Sequence, residues 1–289
     1  MSAARIRFYK PADPLQPYLS AYYFMDLDGG GPVDDLMHPE WGNIRFTLSG
    51  YWTFTSARSS LDSRQSAARL YGPTSHTTQV HGEPPTRTAG VGILPLGWAH
   101  LIGMPADQYA DRIVPLAEAF DVAPLLLQRL TEAADDRALC AVFDDFFLRR
   151  HDERPEPAAL LQRAHALLLD PAVSTAEDFA AGLGLSSRHV ARLSLEMFGF
   201  APKLLLQRQR FLRTLHVLRT RLDEPWAKLL DAAYSDQPHF VRDFHRFMGM
   251  SPTAYFRRPH PVLDPAALLR MREIGESLQG LHPVASPEE

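Results

Sequence analysis

The hydrophobic pattern changes character once along the chain, near Asp121. Before that point, aromatic and β-branched runs alternate with polar residues and are cut short by Gly, Pro, Asp and Ser, the signature of short strands. After it, apolar residues recur three and four apart, as on amphipathic helices. The order describes an α+β chain: a β-rich N-terminal domain over residues 1–120, a helical pair over 121–150, then an all-helical region.

Asn43–Leu48 is the clearest strand, with Ile44, Phe46 and Leu48 on one face and Asn43, Arg45 and Thr47 on the other. Gly50 punctuates it, and Tyr51–Thr55 is expected to return as a hairpin partner. Arg69–Gly72, Thr78–His81 and Ala89–Leu94 read as further strands, with Gly82–Pro85 a loop. Several short strands at this spacing suggest a barrel or sandwich. The helical pair is interrupted near Asp135–Asp136, and the charged, proline-containing stretch 151–157 (HDERPEP) reads as a linker.

Composition limits the classes available. At 289 residues, 45% hydrophobic and 22% charged, the chain is neither collagen-like nor disordered. No run of about 18 apolar residues predicts a membrane span, and the polar opening Met1–Lys10 lacks a signal-peptide core, so a cytoplasmic protein is expected. The single Cys140 permits no intrachain disulfide or cysteine-based zinc site and reads as a small core residue. The net charge of −4 is unevenly spread: residues 1–154 carry 14 basic against 19 acidic groups, residues 155–260 carry 14 against 10, and residues 261–289 carry 2 against 5. Within 186–221, eight basic residues face the lone Glu196, an electrostatic footprint suited to double-stranded DNA.

The helical half contains two helix-turn-helix patterns. After a first helix over 158–169, Ser174-Thr175-Ala176-Glu177 offers a capping box to a short helix with Phe179, Ala180 and Leu183 on its apolar face. Gly184 supplies a left-handed stop and Ser186 a new N-cap. In the following helix Val190, Leu193 and Met197 share one side, leaving Arg188, Ala191, Arg192 and Leu195 opposite. Paired arginines there suit the major groove, where guanidinium groups bond guanine edges bidentately. A long helix over 202–222 follows, with Leu204, Phe211, Leu215, Leu218 and Leu222 along one face. Lys203, Arg210, Arg213 and Arg221 lie around the other, so Lys203, Arg210 and Arg213 are phosphate-contact candidates. A second unit then begins at Asp223 and Pro225, with Trp226, Leu229, Leu230 and Ala233 apolar. After the turn at Tyr234–Gln237, Phe240, Phe244 and Phe247 recur, leaving His239, Arg242 and Arg246 outward.

The run "DAAYSDQPHFVRDFHRFMGMSPTAYFR" (Asp231–Arg257), with the upstream "LGLSSRHVARL", resembles the AraC/XylS-type transcription regulators over residues 158–258. The resemblance implies a domain of about seven helices with two helix-turn-helix units. It further implies that Ser187, Arg188, Ala191 and Arg192 in the first unit, and Gln237, His239 and Arg242 in the second, face the bases. Two residues depart from the family pattern: Ala233 where glycine is usual, and Ser194 where a core phenylalanine is common. RNA polymerase is a candidate partner, and a monomer or homodimer is expected.

The family's variable N-terminal domain is often cupin-like, and "LYGPTSHTTQV" with "VGILPLGWAHLIGMPADQYADRIVPLAE" is similar to the N-terminal domain of one branch. His38, His76, His81 and His100 are dispersed in sequence, so no metal and no cofactor is expected. A small-molecule effector pocket would draw on Trp41, Trp52 and Trp98 as walls, with Arg45 or His76 as orienting groups. The ordinary alternative for each tryptophan is core packing. The sequence therefore reads as a DNA-binding regulator with an N-terminal sensor. The competing reading is a cupin-like enzyme with an accessory helical domain, against which stands the lack of a nucleophile–base pair or phosphate loop. The DNA-binding region is expected to be separable, any ligand is expected within residues 1–120, and the acidic tail 259–289 carries a helix over 265–279 of open role.

Overall fold

The computed structural model describes residues 4–153, 159–221, 234 and 236–283. The N-terminal region is an eight-stranded antiparallel sheet. Its strands are β1 (Ala4–Tyr9), β2 (Leu19–Leu27), β3 (Val33–Met37), β4 (Gly42–Thr55), β5 (Ser60–Asp62), β6 (Ala68–Tyr71), β7 (Thr78–Ile93) and β8 (Ile113–Pro115). The main path runs β1-β2-β7-β4-β6-β8, with β3 beside β7 and β5 beside β4.

Two strands are much longer than their sequence signals. The expected hairpin at Gly50 does not form: β4 continues through it, and both halves pair with β7. Gly82–Pro85 is likewise part of β7 rather than a loop, with Glu83 opposite Tyr51. Gly50 bends the strand, because it takes a φ of 79° at the second of two register shifts, and a Cβ there would lie 2.2 Å from the Pro85 carbonyl oxygen. A bulged glycine thus re-aims a strand where the local pattern suggests a turn.

Helices follow from local capping. After a helical turn, α1 (Pro95–Gly97), come α2 (Ala123–Glu132) and α3 (Asp136–Asp152), separated at the expected aspartates. Asp135 caps α3, accepting from the Ala138 amide at 2.8 Å. Because α3 runs to Asp152, the start of the expected linker is helical; residues 154–158 lie outside the described residues. The C-terminal helices are α4 (Ala159–Leu169), α5 (Ala176–Leu183), α6 (Ser187–Phe198), α7 (Pro202–Thr220), α8 (Gln237–Met248), α9 (Pro252–Arg257) and α10 (Leu263–Ile274). The capping box sits one residue later than expected: Thr175 and Asp178 bond reciprocally at 3.0 Å. The expected helix at 226–233, including Trp226 and Ala233, lies outside the described residues.

Apolar side chains form three clusters. The largest joins one face of the sheet (Phe24, Ile44, Phe46, Val91) to α3 through Phe143 and Phe147, and continues without a break into α4–α7 through Leu161, Phe179, Val190 and Leu205. Helices α4–α7 therefore share their core with the sheet. A second cluster centres on Phe211, Phe240, Phe244 and Phe247. The third lies on the other face of the sheet and includes Trp52, Phe54 and Val262. Both faces of β4 are consequently covered: Asn43, Arg45 and Thr47, on the polar face of the strand pattern, are no more than 5% exposed. No helix among the described residues is long and apolar enough to cross a membrane.

Candidate nucleic-acid interface and effector cavity

The first helix-turn-helix unit is α5 and α6. Gly184 closes α5 at φ 69°, and the Ser186 hydroxyl caps α6 through the His189 amide. Val190 and Leu193 seat α6 on the shared core, so Ser187, Arg188 and Arg192 are exposed and Ala191 is half-buried. Among the described residues, neither Arg188 nor Arg192 meets a carboxylate at ion-pair distance; the Arg192 guanidinium has only the His189 ring at 3.5 Å. Ser194 is fully buried, and among the described residues its hydroxyl is unbonded, a polar hole in the packing behind α6.

In the second unit Asp236 caps α8, accepting from the His239 amide at 2.7 Å, and Phe240, Phe244 and Phe247 are fully buried against Phe211. This packing leaves Gln237, Arg242 and Arg246 exposed and His239 half-buried, with Arg246 donating to Gln207 at 3.0 Å.

The connector α7 differs from its sequence reading. Lys203 is exposed, but Arg210 is tied to Asp243 at 2.9 Å and to the His239 ring at 3.0 Å, so it braces α7 against α8 instead of facing outward. Arg213 is half-buried. Arg219 bonds the Tyr255 hydroxyl and Asp264, and Arg208 is completely buried. Arg208 lies 3.8 Å above the Trp41 ring and donates to the Thr74 carbonyl at 2.9 Å, while Gln209 donates to the Gly280 carbonyl at 2.7 Å. Burial lowers the Arg208 pKa to about 9, which leaves it charged at neutral pH. Much of the basic density in 186–221 is thus internal scaffolding.

The C-terminal segment returns to the sheet. Asp35 of β3, itself buried, accepts from the His260 ring at 2.7 Å and from the Val262 and Leu263 amides at 2.9 Å. A strand carboxylate therefore satisfies the first turn of α10, where an anion also meets the helix dipole favourably. Nearby, the His38 ring meets the Tyr255 hydroxyl at 2.7 Å. Burial holds the His38 pKa well below its ordinary value, so this imidazole is neutral.

Between the sheet and α10 lies a cavity of about 130 Å³. Its apolar walls include Phe8, Met25, Trp52 and Phe54 from the sheet and Leu263, Ala266 and Ala267 from α10. Polar groups are Arg45, Arg69 and Glu40 from the sheet and Arg270 from α10, with Gln279 beyond it. Of the pocket residues expected from sequence, Arg45 and Trp52 meet here and the others do not. Trp41 packs beside His165 and Arg208; Trp98 donates to the Met104 carbonyl; His76 is half-exposed beside Ser75. Sequence reasoning missed Arg69, Glu40 and the whole α10 wall, so the cavity is not confined to residues 1–120. The one local signal was a single arginine in each of two strands, Arg45 between Ile44 and Phe46 and Arg69 between Ala68 and Leu70.

Residues 179–258 match the family described as a helix-turn-helix domain, and residues 7–115 match a domain of unknown function, DUF6597. No curated protein matches the chain. Among solved structures it is similar to ToxT from Vibrio cholerae (11% identity, 88% of this chain and 98% of that one, TM-score 0.47). It is also similar to the AraC-like transcriptional activator CuxR (13% identity, 73% and 86%, TM-score 0.29). A cupin superfamily protein from Desulfitobacterium hafniense DCB-2 is similar over a smaller part (9% identity, 32% and 77%, TM-score 0.25). The C-terminal match identifies residues 179–258 as a helix-turn-helix domain of the AraC type.

Proposed function

We propose that this regulator reads DNA with α6 and α8 and that its activity responds to a small molecule held between the sheet and α10. It acts by binding rather than by catalysis, and it works in the cytoplasm, where its DNA target lies. The observation that carries the reading is the contrast among arginines. Arg188, Arg192 and Arg242 are exposed on the outer faces of capped helices, whereas Arg208 and Arg210 are turned inward. Ser187, Ala191, Gln237 and His239 complete the two base-facing sets, and Lys203 is left as the backbone-positioning cation. α10 continues directly from the DNA-binding helices and forms one wall of the cavity, so a ligand touching it acts on the same body that holds α8.

Selection of bound sequences from a random duplex pool with the full chain provides the operator. Arg188→Ala and Arg192→Ala are then expected to lose about 1–3 kcal/mol on the selected site with little change on random DNA. Lys203→Ala is expected to weaken both alike and to reduce the salt slope by about 1. Equal losses on matched and random duplexes for the α6 arginines would refute base reading.

A further inference from the structure

Arg45 and Arg69 are direct cross-strand partners in the β4–β6 ladder. Like charges facing each other across a ladder repel, and these two are only 5% and 1% exposed. One carboxylate, Glu40, serves them, and it pairs with Arg45. Arg69 donates to the Trp52 carbonyl at 3.3 Å and the Thr47 hydroxyl at 2.5 Å, both neutral acceptors. Among the described residues, Arg45 Nη1 and Arg69 Nε have no acceptor, although both are buried. Aromatic faces offer partial relief: Arg45 lies 4.4 Å from the Tyr71 ring centre and Arg69 5.1 Å from that of Phe54. Ring quadrupoles attract a cation but supply no acceptor for its N–H groups. Arg270 adds a third guanidinium to the wall, bonded to the Glu276 carbonyl rather than to a carboxylate.

The cavity wall therefore carries three guanidinium groups against one carboxylate, and the rest is largely apolar. We propose that the cavity takes an apolar small molecule bearing a single carboxylate, which sits against the Arg45–Arg69 pair while its apolar part fills the space between Trp52, Phe54 and α10. The choice of a monoanion follows from the walls: one buried carboxylate matches the excess donors, whereas a dianionic phosphate would surrender its hydration to a mostly apolar surface. The size follows from the volume, since an apolar cavity of about 150 Å³ accommodates a benzene ring. The ligand class is thus a short-chain or single-ring carboxylic acid.

This inference rests on reading the cavity as the effector site, and its test is made without DNA so that the two readings fail separately. Thermal unfolding of the full chain is followed with phenylacetate and hexanoate, with the corresponding amides, and with inorganic phosphate. The expected result is an upward, concentration-dependent shift in Tm of several degrees with at least one carboxylate and none with its amide. Arg69→Gln is expected to weaken that response about 10- to 100-fold. Ala267→Phe, which fills the cavity from the α10 side and leaves both arginines in place, is expected to abolish it while the chain remains folded. Equal shifts with acid and amide, a shift with phosphate alone, no shift with either acid, or a response that survives Ala267→Phe would overturn the proposal. Retained operator binding in such a case leaves the DNA-reading assignment intact.

Discussion

Replacing Asp35 with alanine is expected to release α10 from the sheet while the rest of the chain remains folded. The carboxylate is buried and holds three donors of the C-terminal segment: the His260 ring nitrogen and the Val262 and Leu263 amides. Each donor left buried without a partner costs about 1–3 kcal/mol, so the local penalty is roughly 3–9 kcal/mol if α10 remains docked. Undocking limits that penalty, because the freed amides then meet water at the expense of exposing Val262 and Leu263, each worth about 1.5–3 kcal/mol of burial. We therefore expect a loss of about 3–4 kcal/mol in the stability of the docked segment. At 1.4 kcal/mol per factor of ten, the opening equilibrium should rise on the order of 100-fold or more. Hydrogen exchange across Leu263–Ile274 reads this directly, with urea unfolding as the global measure. Asp34→Ala is the control: its side chain is two-thirds exposed and, among the described residues, pairs with the surface residue His81, so exchange in α10 should not change. If α10 amides in Asp35→Ala exchange within about threefold of the unaltered chain, the capping argument is wrong.

Burial lowers the His165 pKa to about 3, so between that value and about 6.5 the unfolded chain binds a proton that the folded chain refuses. The contribution is present above pH 6.5 and lost as pH falls: by pH 5 the unfolding free energy should drop about 2 kcal/mol from this residue, and His165→Gln should remove that part of the urea–pH profile. Arg210→Ala should cost about 1–3 kcal/mol in stability, by leaving Asp243 without its guanidinium, and leave the salt slope of DNA binding unchanged; a slope reduced by about 1 with unaltered stability would restore it as a phosphate contact. Phe244→Ala should destabilise by about 3–5 kcal/mol, since the ring is fully buried between Phe211 and Tyr255; a loss below about 1 kcal/mol would mean that the second cluster is not a packed core. A fragment of residues 159–283 should lack cooperative unfolding, because α4–α7 bury Leu161, Val190 and Leu205 in the core they share with the sheet; a sharp thermal transition in that fragment would contradict the shared-core account.

Local structure was legible wherever neighbours along the chain decide it. Caps at Asp135, Ser186, Asp236 and Ser251 satisfy amides three residues ahead, and Gly184 and Gly249 stop helices at positive φ. The outward aim of Arg188, Arg192 and Arg242 likewise follows from the apolar seam on their own helices, so the exposure of these three side chains was legible before any fold was known. What lay beyond it depends on partners far apart in the chain. Packing between distant segments covered the polar face of β4, turned Arg208 under Trp41, locked Arg210 to Asp243, and brought α10 onto Asp35 some 228 residues away. Period and propensity report which face of an element is apolar, but not whether a second layer will cover the polar face. Here that second layer is α10, and it makes a cavity wall of a strand face that its own sequence describes as solvent-exposed.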